Sequence, residues 1–300
     1  MRRGNIAGHI SPRPAWITVL ALITGGVLAE GTAAAAQSVG RLNKIIENAE
    51  SGNKVTFNDE SWKLMPDGEH NIFGTIALQP AMAENFDSAA ARFRLVPGVR
   101  MNMEANHFEK HRVKQYLDAG LMLLILSQSE TIEQVEEFIT AMRYPPQGEF
   151  YAKGPRGRRG WAPTAATRYW GVDMDTYMRK ADLWPLNPEG ELLACVLIET
   201  RFQVENIERL LELPGLGCVF IGTADMSMSY GVGTPAPPPN HPIVMAAIER
   251  VARACRAHHE RGGRVICGAY QTPHGIERNI EEFGFRIFTS GRGEYRGDMD

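Results

Sequence analysis

Apolar residues recur along this chain with two rhythms. Short runs in which almost every position is apolar read as strands buried on both faces. They are VRMNM (99–103), LMLLILS (121–127), LLACVLI (192–198), CVFIG (218–222), RVICGA (264–269) and FRIFTS (285–290). Between them apolar residues fall three and four apart, the spacing of one helix face. This pattern predicts helices over 41–52, 108–120, 131–143, 243–259 and 273–284. Gly52, Gly120 and Gly284 stand where helices commonly end, and Thr131 with Gln134 resembles a capping pair.

The centre of the pattern is 192–231. An apolar run ends in Glu199, a helical stretch follows (Val204, Ile207, Leu210, Leu211), and a second apolar run ends shortly before Asp225. A connection of this length is a parallel crossover, so the two strands are neighbours and leave the sheet on one edge. Six strands lie beyond residue 98, and two more from 53–80 would complete a (β/α)8 barrel, a single catalytic domain over 37–300.

Residues 1–36 follow another pattern. Arg2, Arg3 and Arg13 supply positive charge ahead of the apolar stretch 15–29, and small residues near Ala36 offer cleavage sites. That is a secretory signal peptide, with an uncleaved anchor as the alternative. The apolar run is short for a bilayer span, so no stable membrane span is expected after processing. The expected location is periplasmic or secreted. A net charge of −3 and the absence of a basic tract interleaved with aromatics argue against a nucleic-acid partner. Cys195, Cys218 and Cys267 fall in strand-like runs and Cys255 in a helix, a pattern expected of packed thiols rather than of a disulfide framework.

Two carboxylates at the ends of neighbouring parallel strands suit a hard divalent cation, which takes carboxylate oxygens and keeps positions open for water or substrate. On spacing alone, Glu199 as a helix cap and Asp225 as a turn residue fits equally well. None of the lysines lies in an apolar strand, where its pKa would be depressed as Schiff-base chemistry requires. His107 and His111, four apart with no third ligand nearby, read as surface residues.

The segments LIETR (197–201) and VFIGTADMSMS (219–229) resemble the two signatures of the HpcH/HpaI class II aldolases, the 4-hydroxy-2-oxoheptanedioate aldolase type. RYPPQGE (143–149), PRGRRGWAP (155–163), RYWG (168–171), ADLWPLNPEGELL (181–193) and HPIVMAAIERV (241–251) extend the resemblance over about 98–291. It implies a barrel of the phosphoenolpyruvate/pyruvate superfamily in which Glu199 and Asp225 bind Mg²⁺, Mn²⁺ or Co²⁺. Arg100 would contact the substrate's keto oxygen, and the backbone around Gly222, Thr223 and Ala224 its carboxylate. The substrates would be a 2-oxo acid such as pyruvate and an aldehyde, and the assembly a homo-oligomer, hexameric in the family.

The same resemblance aligns Asp67-Gly68-Glu69-His70 with the family's acid, Glu, His motif, making His70 the base and Asp67 its orienting partner. In a second alignment NIFGTIAL (71–78) is the family's first strand and the histidine strand is missing. Pro66 and the sequel Asn71-Ile72-Phe73-Gly74 depart from the family pattern, as do Leu197 for a glutamine near the metal and Thr223 for a proline. The chain also ends without the usual closing helix, and the first βα unit reads as compressed. Arg156, Arg158 and Arg159 lie in the long connection 144–190, where they serve either to attract an anionic substrate or to make subunit contacts. Two other functions fit the acid pair: an acyl-CoA lyase of the citrate lyase beta type, and a barrel that binds an oxo acid without turnover.

Overall fold

The computed structural model describes residues 41–52, 55–57, 96, 98–101, 110–233, 241–269 and 281–289. All lie within one unit, Gly40–Asp300. Seven strands form one parallel sheet: β1 (Val55–Phe57), β2 (Gly98–Met101), β3 (Leu123–Leu126), β4 (Leu193–Ile198), β5 (Leu216–Ile221), β6 (Ile266–Ala269) and β7 (Ile287–Thr289). Their order is β1-β7-β6-β5-β4-β3-β2. From β2 to β7, sequence neighbours are also sheet neighbours, and the first strand pairs in parallel with the last. That wrap-around pairing is how a (β/α)8 barrel closes. Of the two strands expected from 53–80, one is β1; the other falls outside the described residues.

Helix α1 (Lys44–Glu50) precedes the first strand, and the outside of the sheet is covered by α2 (Lys110–Ala119), α3 (Ile132–Met142), α4 (Thr164–Trp170), α5 (Met174–Lys180), α6 (Arg201–Glu205), α7 (Ile207–Leu211), α8 (Thr223–Ser229) and α9 (Pro242–Glu260). Strand side chains alternate between two cores, as the period of two requires. Leu124, Leu126, Ala194, Val196, Ile198, Val219 and Ile221 pack outward beneath the helices. Leu123, Ile125, Leu193, Cys195, Leu197, Cys218, Phe220 and Ile266 pack inward. This two-sided burial explains why the strands are continuous apolar runs rather than alternating ones.

Of these helices, α1 alone contributes to the inner core, through Ile45 and Ile46. Its N-cap Asn43 accepts from Ile45 N and Ile46 N and donates to Glu191 O, while Glu191 Oε2 accepts from Asn43 N. These contacts hold α1 at the N-terminal end of β4. The stretch read as one helix after β4 is two, α6 and α7, separated at Asn206. The capping pair at Thr131 and Gln134 is present as a reciprocal box.

The connection 144–190 carries α4 and α5, which apolar spacing did not predict, and is anchored by a buried ion pair. Arg143 donates through Nε and Nη2 to both oxygens of Asp182, at 2.6 and 2.9 Å. Arg159 does not face a substrate. It is buried, donates to Asp118 and to the Tyr177 hydroxyl at 2.8 Å each, and lies over the Tyr144 ring. Burial makes a neutral partner set and one carboxylate necessary for that guanidinium. Arg156 and Arg158 remain exposed.

The expectation of free packed thiols is overturned: Cys195 is bonded to Cys218 and Cys255 to Cys267, leaving no free cysteine. The cause lies in strand register. Cys195 and Cys218 are direct partners across β4 and β5, both pointing inward, with Cα atoms 4.5 Å apart. Cys267 points outward from β6 onto α9, which carries Cys255.

Candidate active site

Ile198 and Ile221 are register partners at the C-terminal ends of β4 and β5. Glu199 follows the first directly. Gly222 follows the second, donates its N–H to Ile198 O at 3.0 Å and caps α8, whose first turn holds Asp225. The two acids therefore leave adjacent strands on one edge, as the crossover argument requires. A Cβ at Gly222 would stand 3.1 Å from Glu199 Oε2, so a side chain there would crowd the carboxylate.

Glu199 is 2% exposed, whereas Asp225 is open to solvent. Burial and the neighbouring Asp225 carboxylate push the Glu199 carboxyl up to about 8, against the opposing pull of the Arg100 charge and the Gln128 N–H. Two adjoining carboxyl groups cannot both ionise cheaply without a compensating positive charge. A divalent cation with an oxygen preference supplies that charge, so the pair fits Mg²⁺, Mn²⁺ or Co²⁺. Among the described residues no third His, Cys, Asp or Glu joins the pair.

Arg100 lies on β2, level with Ile125 and on its inward-facing row. Its Nε is buried and has no hydrogen-bond partner. An inward guanidinium with a donor unspent, whose charge reaches Glu199, suits an oxyanion at that edge. Gly222 caps α8 without a side-chain hydrogen bond, so the first-turn N–H groups of Thr223 and Ala224 have no cap to satisfy them. Leu197 points into the inner core two residues before Glu199. His70 and Asp67 lie outside the described residues.

A polar clamp around Glu199 was missed by sequence reasoning. Gln203 Oε1 accepts from Glu199 N at 2.7 Å and Thr200 N at 2.8 Å, and Gln203 Nε2 donates to Ser129 Oγ at 2.8 Å. Thr200 Oγ1 donates to Ser129 O, and Gln128 N donates to Glu199 Oε1 at 2.7 Å. Gln128 adopts a φ of 56°, an uncommon conformation for a residue with a side chain. The loop after β3 thus fixes the acid after β4. Thr200 and Gln203 carry the same T-x-x-Q signature as Thr131 and Gln134, which was the available signal.

Fold and site define a (β/α)8-type barrel with an acid pair at the C-terminal edge of its central strands. Residues 65–269 match the HpcH/HpaI aldolase/citrate lyase family, and the chain belongs to that family. It is 34% identical over 203 residues to a hydroxypyruvate/pyruvate aldolase of Chromohalobacter salexigens, covering 67% of this chain and 68% of the relative. It is also 34% identical over 151 residues to a 2-keto-3-deoxy-L-rhamnonate aldolase of Klebsiella pneumoniae. That match covers 50% of this chain and spans only about half, 49%, of the relative's length. Among solved structures it resembles an HpcH/HpaI aldolase/citrate lyase family protein of Burkholderia cenocepacia, with a TM-score of 0.57, 24% identity and coverage of 82% of this chain and 91% of the other. An HpcH/HpaI aldolase of Desulfitobacterium hafniense aligns with a TM-score of 0.58 and 17% identity, over 82% and 88% of the two chains.

Proposed function

We propose that this protein is a divalent-metal-dependent carbon–carbon lyase, an aldolase that makes or breaks the bond between pyruvate, or a related 2-oxo acid, and an aldehyde. The observation that carries the reading is the Glu199–Asp225 pair at the ends of adjacent strands, with the inward Arg100 charge acting on it. Kinship with named pyruvate-type aldolases supports it.

In this reading Glu199 and Asp225 hold the cation, which when bound supplies Lewis acidity toward the 2-oxo oxygen. Arg100 places a fixed positive charge where that oxygen becomes negative as the C–C bond breaks. The N–H groups of Thr223 and Ala224, with Gly222 opening the turn, receive the substrate carboxylate. His70, oriented by Asp67, takes the proton from the aldol hydroxyl and returns it in the reverse direction. We further infer export to the periplasm or beyond, on the pattern of residues 1–36. Paired cysteines favour an oxidising compartment. A homo-oligomeric assembly completes the proposal.

The test is exchange of the pyruvate methyl protons for deuterium, followed by NMR with and without Mn²⁺. This half-reaction needs no aldehyde. Exchange that requires the metal and disappears in Glu199→Ala and Asp225→Ala is the expected result. A folded, Mn²⁺-loaded protein that exchanges no protons would overturn the aldolase reading and turn the search to acyl-CoA cleavage or to binding without turnover.

A further inference from the structure

At the opposite, N-terminal end of the sheet from Glu199 lies a cavity of about 470 Å³, within the range of small-molecule sites. It is bounded by Glu50 at the end of α1, by Trp184, by His259 near the end of α9, and by Arg264 and Arg286 just before β6 and β7. Glu50, the one acid among the described residues of this wall, is already engaged. Both Glu50 oxygens accept from Arg41, at 2.7 and 2.9 Å, and Oε1 also accepts from Trp184 Nε1 at 3.0 Å and Arg264 Nη2 at 2.8 Å.

The cationic groups are not so occupied. Among the described residues the Arg286 guanidinium, partly buried in the cavity wall, has no ion pair or hydrogen bond. Arg264 gives one nitrogen to Glu50 while its guanidinium lies 4.9 Å over the Trp184 ring, which fixes its orientation. His259 bonds the Val265 carbonyl through Nε2 at 2.7 Å, so Nε2 carries the hydrogen and Nδ1 is left for another partner. Two guanidinium groups against one saturated carboxylate leave the cavity net positive, and a partly buried arginine without a counter-charge is a poor structural element.

We propose that this cavity is a binding site for a small organic or inorganic anion bearing a carboxylate or phosphate group. Arg286 and Arg264 are its charged contacts, and it is separate from the edge that carries Glu199. Arg286 takes the anion through its unpaired fork, and Arg264, held flat on Trp184, closes the other side. The site rests on its own geometry and stands or falls independently of the aldolase reading.

Isothermal titration of the full-length, metal-free protein with inorganic phosphate and, separately, malonate tests this. Saturable binding of one equivalent of either is expected, and whichever anion binds identifies the group recognised. Arg286→Gln should weaken it about tenfold or more and Arg286→Glu abolish it, with melting temperatures unchanged because among the described residues the Arg286 side chain has no partner to lose. Arg100→Ala should leave the binding intact. The proposal is overturned if neither anion saturates below about 10 mM. It is equally overturned if the heat survives both Arg286 variants, or vanishes in Arg100→Ala and so belongs to the other end of the sheet.

Discussion

Gln203 Oε1 accepts the backbone N–H of Glu199 at 2.7 Å while its amide nitrogen donates to Ser129 on the loop after β3. One buried side chain therefore sets the direction in which the key carboxylate leaves its strand. Gln203→Leu removes that acceptor and leaves two buried N–H groups, those of Glu199 and Thr200, unsatisfied. We expect a loss of about 1–3 kcal/mol in stability for each N–H left unpaired. Mn²⁺ affinity should fall about 10- to 100-fold, as when a partner orienting a metal ligand is lost. Urea unfolding and a Mn²⁺ titration read the two effects separately.

The raised Glu199 carboxyl gives the site a pH dependence of known sign. Below the usual carboxyl range both folded and unfolded chains hold the proton. As pH rises from 4.5 toward about 8 the unfolded chain releases it while the folded one retains it, so metal-free stability falls by up to about 1.4 kcal/mol per pH unit from this group. A cation must displace that proton, so Mn²⁺ affinity should climb about tenfold per unit up to pH 8 and then level off. Titrations at several pH values check both slopes, and Glu199→Gln should flatten them.

Arg100 acts on charge that develops during reaction. Arg100→Ala should lower pyruvate proton exchange by about 10²- to 10³-fold while the protein still binds Mn²⁺. Equal loss of metal binding and exchange would instead assign Arg100 to holding the acid pair.

The bidentate Arg143–Asp182 pair holds the connection 144–190 against the barrel, and neither side chain is exposed by more than 3%. Asp182→Asn or Arg143→Met strands one buried charge or breaks its geometry. Each should cost about 3–5 kcal/mol in chemical denaturation.

With all four cysteines paired, denatured but unreduced protein should show no thiol reactive to Ellman's reagent, and reduction should release four. Cys255→Ser, which opens the bridge between α9 and β6, should lower stability by about 2–4 kcal/mol.

What the sequence determined by itself was set by short-range physics. Fully apolar runs marked strands buried on both faces, three-and-four spacing marked the helices between them, and Gly52, Gly120 and Gly284 marked where helices stop. The crossover from β4 to β5 is local in the chain, so the placement of Glu199 and Asp225 on one edge was legible before any coordinates. The rest depended on residues distant in sequence meeting in space. Strand register brought Cys195 opposite Cys218, turning expected thiols into a bridge. Packing buried Arg159 beneath Tyr144 when its sequence context suggested an open loop. Gln203 and Ser129, separated by 74 residues, meet only because β3 and β4 are neighbours in the sheet. The unpaired Arg286 became visible in the same way, because a missing counter-charge is a property of the folded neighbourhood and leaves no mark in the order of residues.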